Sequence, residues 1–196
     1  MEYLMNLPGI LIAIVSHEFA HGFMAYILGD DTAKNQGRLT LNPIKHIDPI
    51  GFIFMLIFRF GWAKPVPINP NNFKHRKRDT FLVSVAGIGT NFILAVIIAT
   101  IIVYAPISNS NLYNILLITM MYNIMLGVFN VLPFPPLDGS KMLASLLPNK
   151  IEYFFYKYER YFYFILILLI ATRLIGRIMT PLLNFMINFI FSIIIF

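Results

Sequence analysis

The chain has 196 residues, 58% of them apolar and only 12% charged, whereas a soluble domain carries roughly 25% charge. From Thr80 to Leu137 there is no Lys, Arg, Asp, Glu or His, which leaves room for two membrane-spanning helices of about 20 residues each. These features argue against a soluble globule. Cysteine is absent, so disulfides and thiolate metal ligands are excluded. The net charge of +6 sits beside apolar segments, where basic residues set membrane orientation, so no nucleic-acid partner is expected.

The first apolar stretch, residues 3–28, is long enough to span a bilayer, yet Ser16, His17, Glu18 and His21 lie within it. Its start (Met1, Glu2, Tyr3) lacks the basic region of a secretory signal, so the segment is expected to stay attached. Residues 30–48 are polar and carry turn signals, which predicts a loop. Residues 50–62 are apolar but too short to cross comfortably, and Pro65, Pro67 and Pro70 forbid a regular helix after them. The expectation is a re-entrant or interfacial hairpin. Lys74, Arg76, Lys77 and Arg78 form the densest basic cluster, placing that end of the next span in the cytoplasm.

Further spans are predicted at 80–104, 112–132, about 153–172 and 178–196, with the uncharged 105–111 turn outside. The predicted fold is therefore an all-α integral membrane bundle of about five to six transmembrane helices, with a hairpin after the first span. It reads as one domain over residues 1–196: a core at about 3–145 and additional C-terminal helices at about 150–196. Trp62 and the aromatic residues between Tyr153 and Tyr163 suit interfacial belts. Met120, Met121 and Met125 read as ordinary helix packing. Arg59, alone in an apolar segment, is expected to snorkel to the headgroups.

The chemistry is concentrated in HEFAH. His17 and His21 lie four residues apart, so a helix places both imidazoles on one face, suited to sharing a single ion. In this spacing the histidines are zinc ligands, and the glutamate, Glu18, is the general base. Burying two imidazoles and a carboxylate in one helical turn of a membrane span is costly without a compensating ion. A catalytic zinc has three protein ligands and an open position. His75 sits among basic residues that disfavour a cation, and His46 sits in a polar turn beside Asp48 and Pro49. Asp138 is better placed, on a proline-broken segment after the charge-free run, with an ordinary Asp-Gly turn as its plain alternative.

HEFAH together with NVLPFPPLDG at 130–139 resembles the two signature motifs of the site-2 protease family, zinc metalloproteases that cut peptide bonds within membranes. GRLTLNP, HIDPIG, GWAKPVPINP and AGxxxNF extend the resemblance over much of residues 10–140, toward short microbial members with no attached soluble domain. The resemblance implies one Zn2+ per chain with Asp138 as third ligand. It also implies a role for Asn130 near the catalytic centre, holding substrate or the developing oxyanion. Without the family pattern, Asn130 reads as an amide bonded to a neighbour. In AGIGTNF at 86–92, Ile88 stands where relatives often carry Pro, while Asn91 remains.

The expected function is intramembrane proteolysis of transmembrane protein or peptide substrates. The competing readings are a membrane metal-ion transporter and a non-catalytic protein that binds membrane helices. A transporter has no need of Glu18 beside a ligand, and a non-catalytic relative would have lost Glu18 or a ligand. The extended 64–70 stretch, with Val66 and Ile68 between prolines, is expected either to pair with an unwound substrate by strand addition or to plug the membrane surface. The other expected partner is the lipid bilayer, with a homo-oligomer or regulatory membrane partner left open. The default location is a prokaryotic cytoplasmic membrane, with the active site toward its cytoplasmic half.

Overall fold

The computed structural model describes residues 2–58 and 61–195; Arg59 lies outside them. Among the described residues the secondary structure is helical apart from one isolated antiparallel bridge, between Ile47 and Ala63. The helices are α1 (Glu2–Ile27), the single turn α2 (Thr32–Asn35), α3 (Pro49–Phe58), α4 (Arg76–Tyr104), α5 (Ser110–Val131), α6 (Asp138–Leu146), α7 (Asn149–Ala171) and α8 (Leu174–Ile195). The expected all-α membrane architecture is what forms.

Among the described residues, four helices are long and apolar enough to cross a membrane: α1 from Asn6, α4, α5 and α8. The fifth long helix, α7, falls short because Lys150, Glu152, Lys157, Glu159 and Arg160 crowd its first half. Glu152 is buried there and pairs with Arg76 at 2.8 Å, which ties the start of α7 to the start of α4. At 29 residues, α4 is about 43 Å long at 1.5 Å per residue, more than the roughly 30 Å hydrocarbon layer. Its charged first turn therefore has room to stand clear of the lipid. The α4–α5 turn is set by Asn109, whose side chain accepts hydrogen bonds from Asn111 and Leu112 N–H and caps α5.

α1, α4 and α5 pack mutually along stripes of residues four apart, the spacing that shares a helix face. Ala13, His17, His21 and Ala25 form the stripe of α1; Val83, Gly87, Asn91, Ala95 and Ala99 that of α4; Thr119, Asn123 and Gly127 that of α5, and all are buried. Farther along, Ala95, Ile98 and Ala99 meet Met120, Ile124 and Val128 and, from α8, Met179, Ile190 and Ile194. Met120 thus belongs to this core, while Met121 and Met125 are exposed. The outward faces carry large apolar side chains such as Ile93, Leu168 and Phe185, as lipid contact requires.

The hairpin after α1 enters and returns. α3 has only ten residues, and the chain comes back beside its own entry, with Lys64 N–H on the His46 carbonyl at 2.9 Å. Trp62 lies against Phe54, ring centroids 5.3 Å apart. Two buried side chains from the segment after α1 hold the returning arm of the hairpin. Arg38 donates to the Lys64 and Pro65 carbonyls at 2.7 and 3.2 Å. Asp30 accepts from Asn69 N–H and from the Asn72 amide, each at 2.7 Å. Burial alone would raise the Asp30 carboxyl, but hydrogen bonds from Thr32, Asn69 and Asn72 outweigh it and hold it below its usual range.

Candidate metal centre

α1 brings His17 and His21 to one side, their rings perpendicular and 4.4 Å apart. Asp138 reaches them from the first residue of α6, because Pro133, Pro135 and Pro136 end α5 and turn the chain back. That turn is tight. A Cβ on Gly139 would fall on the Val131 and Leu132 carbonyls, so only glycine lets α6 start there. The three ligand-type atoms form a small triangle. His17 Nε2 and His21 Nε2 are 2.9 Å apart, and Asp138 Oδ2 lies 3.1 and 2.9 Å from them. All three side chains are buried.

The hydrogen bonds behind the rings decide what that triangle is. His21 Nδ1 lies 2.8 Å from the Val83 carbonyl, which can only accept, so His21 Nδ1 carries the proton. His17 Nδ1 lies 2.7 Å from Asn91 Oδ1. The Asn91 amide nitrogen is spent on the Ala13 carbonyl at 3.0 Å, so its oxygen faces His17, and His17 Nδ1 also carries the proton. Both Nε2 atoms therefore present lone pairs to each other and to a carboxylate oxygen. The other carboxylate oxygen, Asp138 Oδ1, is 3.2 Å from Lys141 Nζ. Three acceptors facing one another demand a cation. Two imidazoles and a carboxylate suit zinc, whose bonds of 2.0–2.1 Å in tetrahedral geometry separate ligands by about 3.3 Å, close to the spacing here.

Glu18 stands beside this triangle, and its carboxylate accepts the Val66 N–H at 2.7 Å. The returning strand of the hairpin thus lies directly over the expected base. Asn130, on the last turn of α5, gives one amide hydrogen to the Leu126 carbonyl at 3.1 Å. No hydrogen bond joins it to the histidines or Asp138. His46 is buried and turned to the Thr40 carbonyl, and His75 precedes α4 with its backbone N–H on Asp79 Oδ2; among the described residues neither belongs to a metal-type group, and His17, His21 and Asp138 do. One turn before Glu18, a cavity of about 400 Å3 opens between α1, α5 and the hairpin, lined mostly by apolar side chains such as Leu11, Ile14, Trp62, Met125 and Phe129.

In the sequence Asn91 is a motif position without a task, Lys141 reads only as a cytoplasmic charge, and Val83, Gly87 and Asn123, taken singly, carry no sign of a place in the site. The available signal was the four-residue spacing of Val83, Gly87 and Asn91, an amide and a glycine on one face of an apolar helix.

Residues 103–172 match the model of Peptidase family M50, a stretch that includes Asn130 and Asp138. A Bacillus subtilis protein provisionally named zinc metalloprotease YwhC is 39% identical over 183 residues, covering 89% of this chain and 84% of that protein. The similarly named Rip2 of Mycolicibacterium smegmatis is 26% identical over 89% of this chain and 70% of its own length. A zinc metalloprotease of Methanocaldococcus jannaschii is 26% identical over 74% of this chain, but only 34% of that longer protein is covered. No solved structure matches.

Proposed function

The chain belongs to Peptidase family M50, and from that premise we propose that it is a membrane-embedded zinc metalloendopeptidase acting on peptide bonds within or beside transmembrane segments. The observation that carries this reading is the convergence of two imidazole lone pairs and a carboxylate oxygen within 3.1 Å, on residues His17, His21 and Asp138. These three residues would hold the ion. When bound, zinc would supply Lewis acidity, which brings the pKa of a water down to about 7.

Glu18 is the general base. It takes a proton from the attacking water and delivers it to the leaving amine nitrogen as the C–N bond breaks. The Asn130 amide has two N–H donors and spends one on Leu126, so the second serves the substrate carbonyl oxygen as it gains charge. Lys141 holds the outer oxygen of Asp138 and leaves the inner one to the ion. A helical substrate hides its peptide bonds in i to i−4 hydrogen bonds, so the segment to be cut unwinds first. The apolar cavity one turn from Glu18 suits the side chains of such a segment.

The core of α4, α5 and α8 is continuous, which supports one domain, with α7 and α8 as scaffold. The basic cluster at residues 74–78 supports a cytoplasmic placement of that end of α4 and so a site in the cytoplasmic half of a prokaryotic cytoplasmic membrane.

The test is a quantitative mass-spectrometric comparison of membrane-protein fragments in cells making the intact chain or its Glu18→Gln form. Fragments ending inside apolar spans should appear only with Glu18. In a purified assay the substitution should cost about 10^2- to 10^4-fold in rate and leave one zinc per chain. Undiminished proteolysis would refute the base assignment, and zinc binding without any cleavage would favour a transporter.

A further inference from the structure

His17 and His21 are oriented by different means. The partner of His21 Nδ1 is the Val83 carbonyl, a main-chain group inside a helix that has one polarity only. The partner of His17 Nδ1 is a side-chain amide, Asn91, and an amide can rotate by 180° and present N–H2 in place of oxygen. In that flipped state His17 would have to accept at Nδ1 and carry its proton on Nε2, where it could not ligate a metal. Something has to fix the amide.

Two contacts do so. The Asn91 nitrogen donates to the Ala13 carbonyl at 3.0 Å and to Asn123 Oδ1 at 2.9 Å. Asn123 cannot reverse in its turn, because its own nitrogen donates to the Thr119 carbonyl at 2.8 Å, one turn earlier on α5. Both asparagines are fully buried, out of reach of the bulk solvent that could satisfy a reversed amide. The result is a chain of one direction: the Thr119 carbonyl sets Asn123, Asn123 sets Asn91, and Asn91 sets the proton on His17. Flipping Asn91 would put its oxygen against two acceptors at once.

We infer that Asn123, on α5 and outside the metal cluster, is a positioning residue that, together with the Ala13 carbonyl, fixes the tautomer and ring direction of His17 through Asn91. The inference rests on the zinc reading above. Partners behind metal-bound histidines typically govern affinity by 10- to 100-fold, and here the partner is itself governed by another helix. The plain alternative is that the two amides only glue α1, α4 and α5 together, as polar residues do between membrane helices.

The experiment is a zinc competition titration with a chromophoric chelator on the full chain in detergent, with thermal unfolding recorded for each variant. Asn123→Leu should weaken zinc by about 10- to 100-fold. Asn123→Asp, neutral when buried, keeps a donor for Thr119 and an acceptor for Asn91, and should stay within about 3-fold of the unsubstituted chain. In an Asn91→Asp background, an ionised carboxylate beside His17 has no N–H to turn toward the ring, so adding Asn123→Leu should cost less than about 3-fold. An equal loss in both backgrounds, or none in either, overturns the inference and leaves only glue. If Asn123→Leu does not fold, Asn123→Ala carries the same expectation. Failure of the unsubstituted chain to bind zinc would overturn the metal reading itself, and the inference with it.

Discussion

Gly87 shows how closely α4 approaches the histidines. A Cβ built there would strike the His21 ring and lie 2.8 Å from His17 Cε1. Those rings are fixed by hydrogen bonds and cannot yield without moving their lone pairs. Gly87→Ala should therefore weaken zinc binding by at least about tenfold, the scale set by disturbing a ligand's support. Gly89→Ala is the control, since a Cβ there meets nothing within 4 Å and both zinc affinity and cleavage should hold. Zinc titration of the two variants checks this, and equal behaviour would mean the helices separate easily. His17, Glu18 and His21 were legible in sequence because their relation lies within one helix, where spacing alone fixes geometry. The uses of Gly87, Asn91 and Asn123 depend on the register of three helices, and on which way each amide points. No local pattern records either.

Among the elements, the hairpin does more than fill space. It is held by Arg38, Asp30 and the His46 carbonyl, and it delivers one N–H to Glu18. Prolines at 65 and 67 have no N–H, so Val66 is the sole backbone donor of that triplet. The N–H groups of Lys64, Val66 and Asn69 are all committed within the protein, which leaves an incoming strand few donors for pairing. A hydrogen bond to a charged group is worth about 1.5–3 kcal/mol, so it is strong enough to hold the base in one position. Val66→Pro, which deletes the donor, should lower kcat/KM by about 10- to 100-fold relative to Val66→Ala, which keeps it. Zinc content should be the same in both. Equal kcat/KM values would show that the contact is idle in catalysis. That residues 50–62 enter and return was readable from their length and the prolines behind them. That their return ends on Glu18 was not, because the contact joins positions 48 residues apart.

At the scale of the molecule, the centre joins α1 and α6 under the stripe of α4. A bound ion therefore clamps the start and the middle of the chain, and removing it should loosen the bundle. At a free zinc concentration one hundred times Kd, linkage adds about 2.7 kcal/mol, so chelation should lower the midpoint of thermal unfolding by roughly 5 to 10 °C. Scans in detergent with and without a chelator measure it, and an unchanged midpoint would count against these ligands. Hydropathy made the bundle itself legible, whereas α7 was expected to span and instead carries its charges to Arg76 through Glu152. The separation of 117 residues between His21 and Asp138 also has a meaning in time. At synthesis rates of about 5–20 residues per second, roughly 6 to 23 seconds pass between making the two. During that interval the histidine pair exists without its third ligand, so no nascent or truncated chain ending before Asp138 can assemble this centre. The centre therefore stays incomplete until α6 emerges.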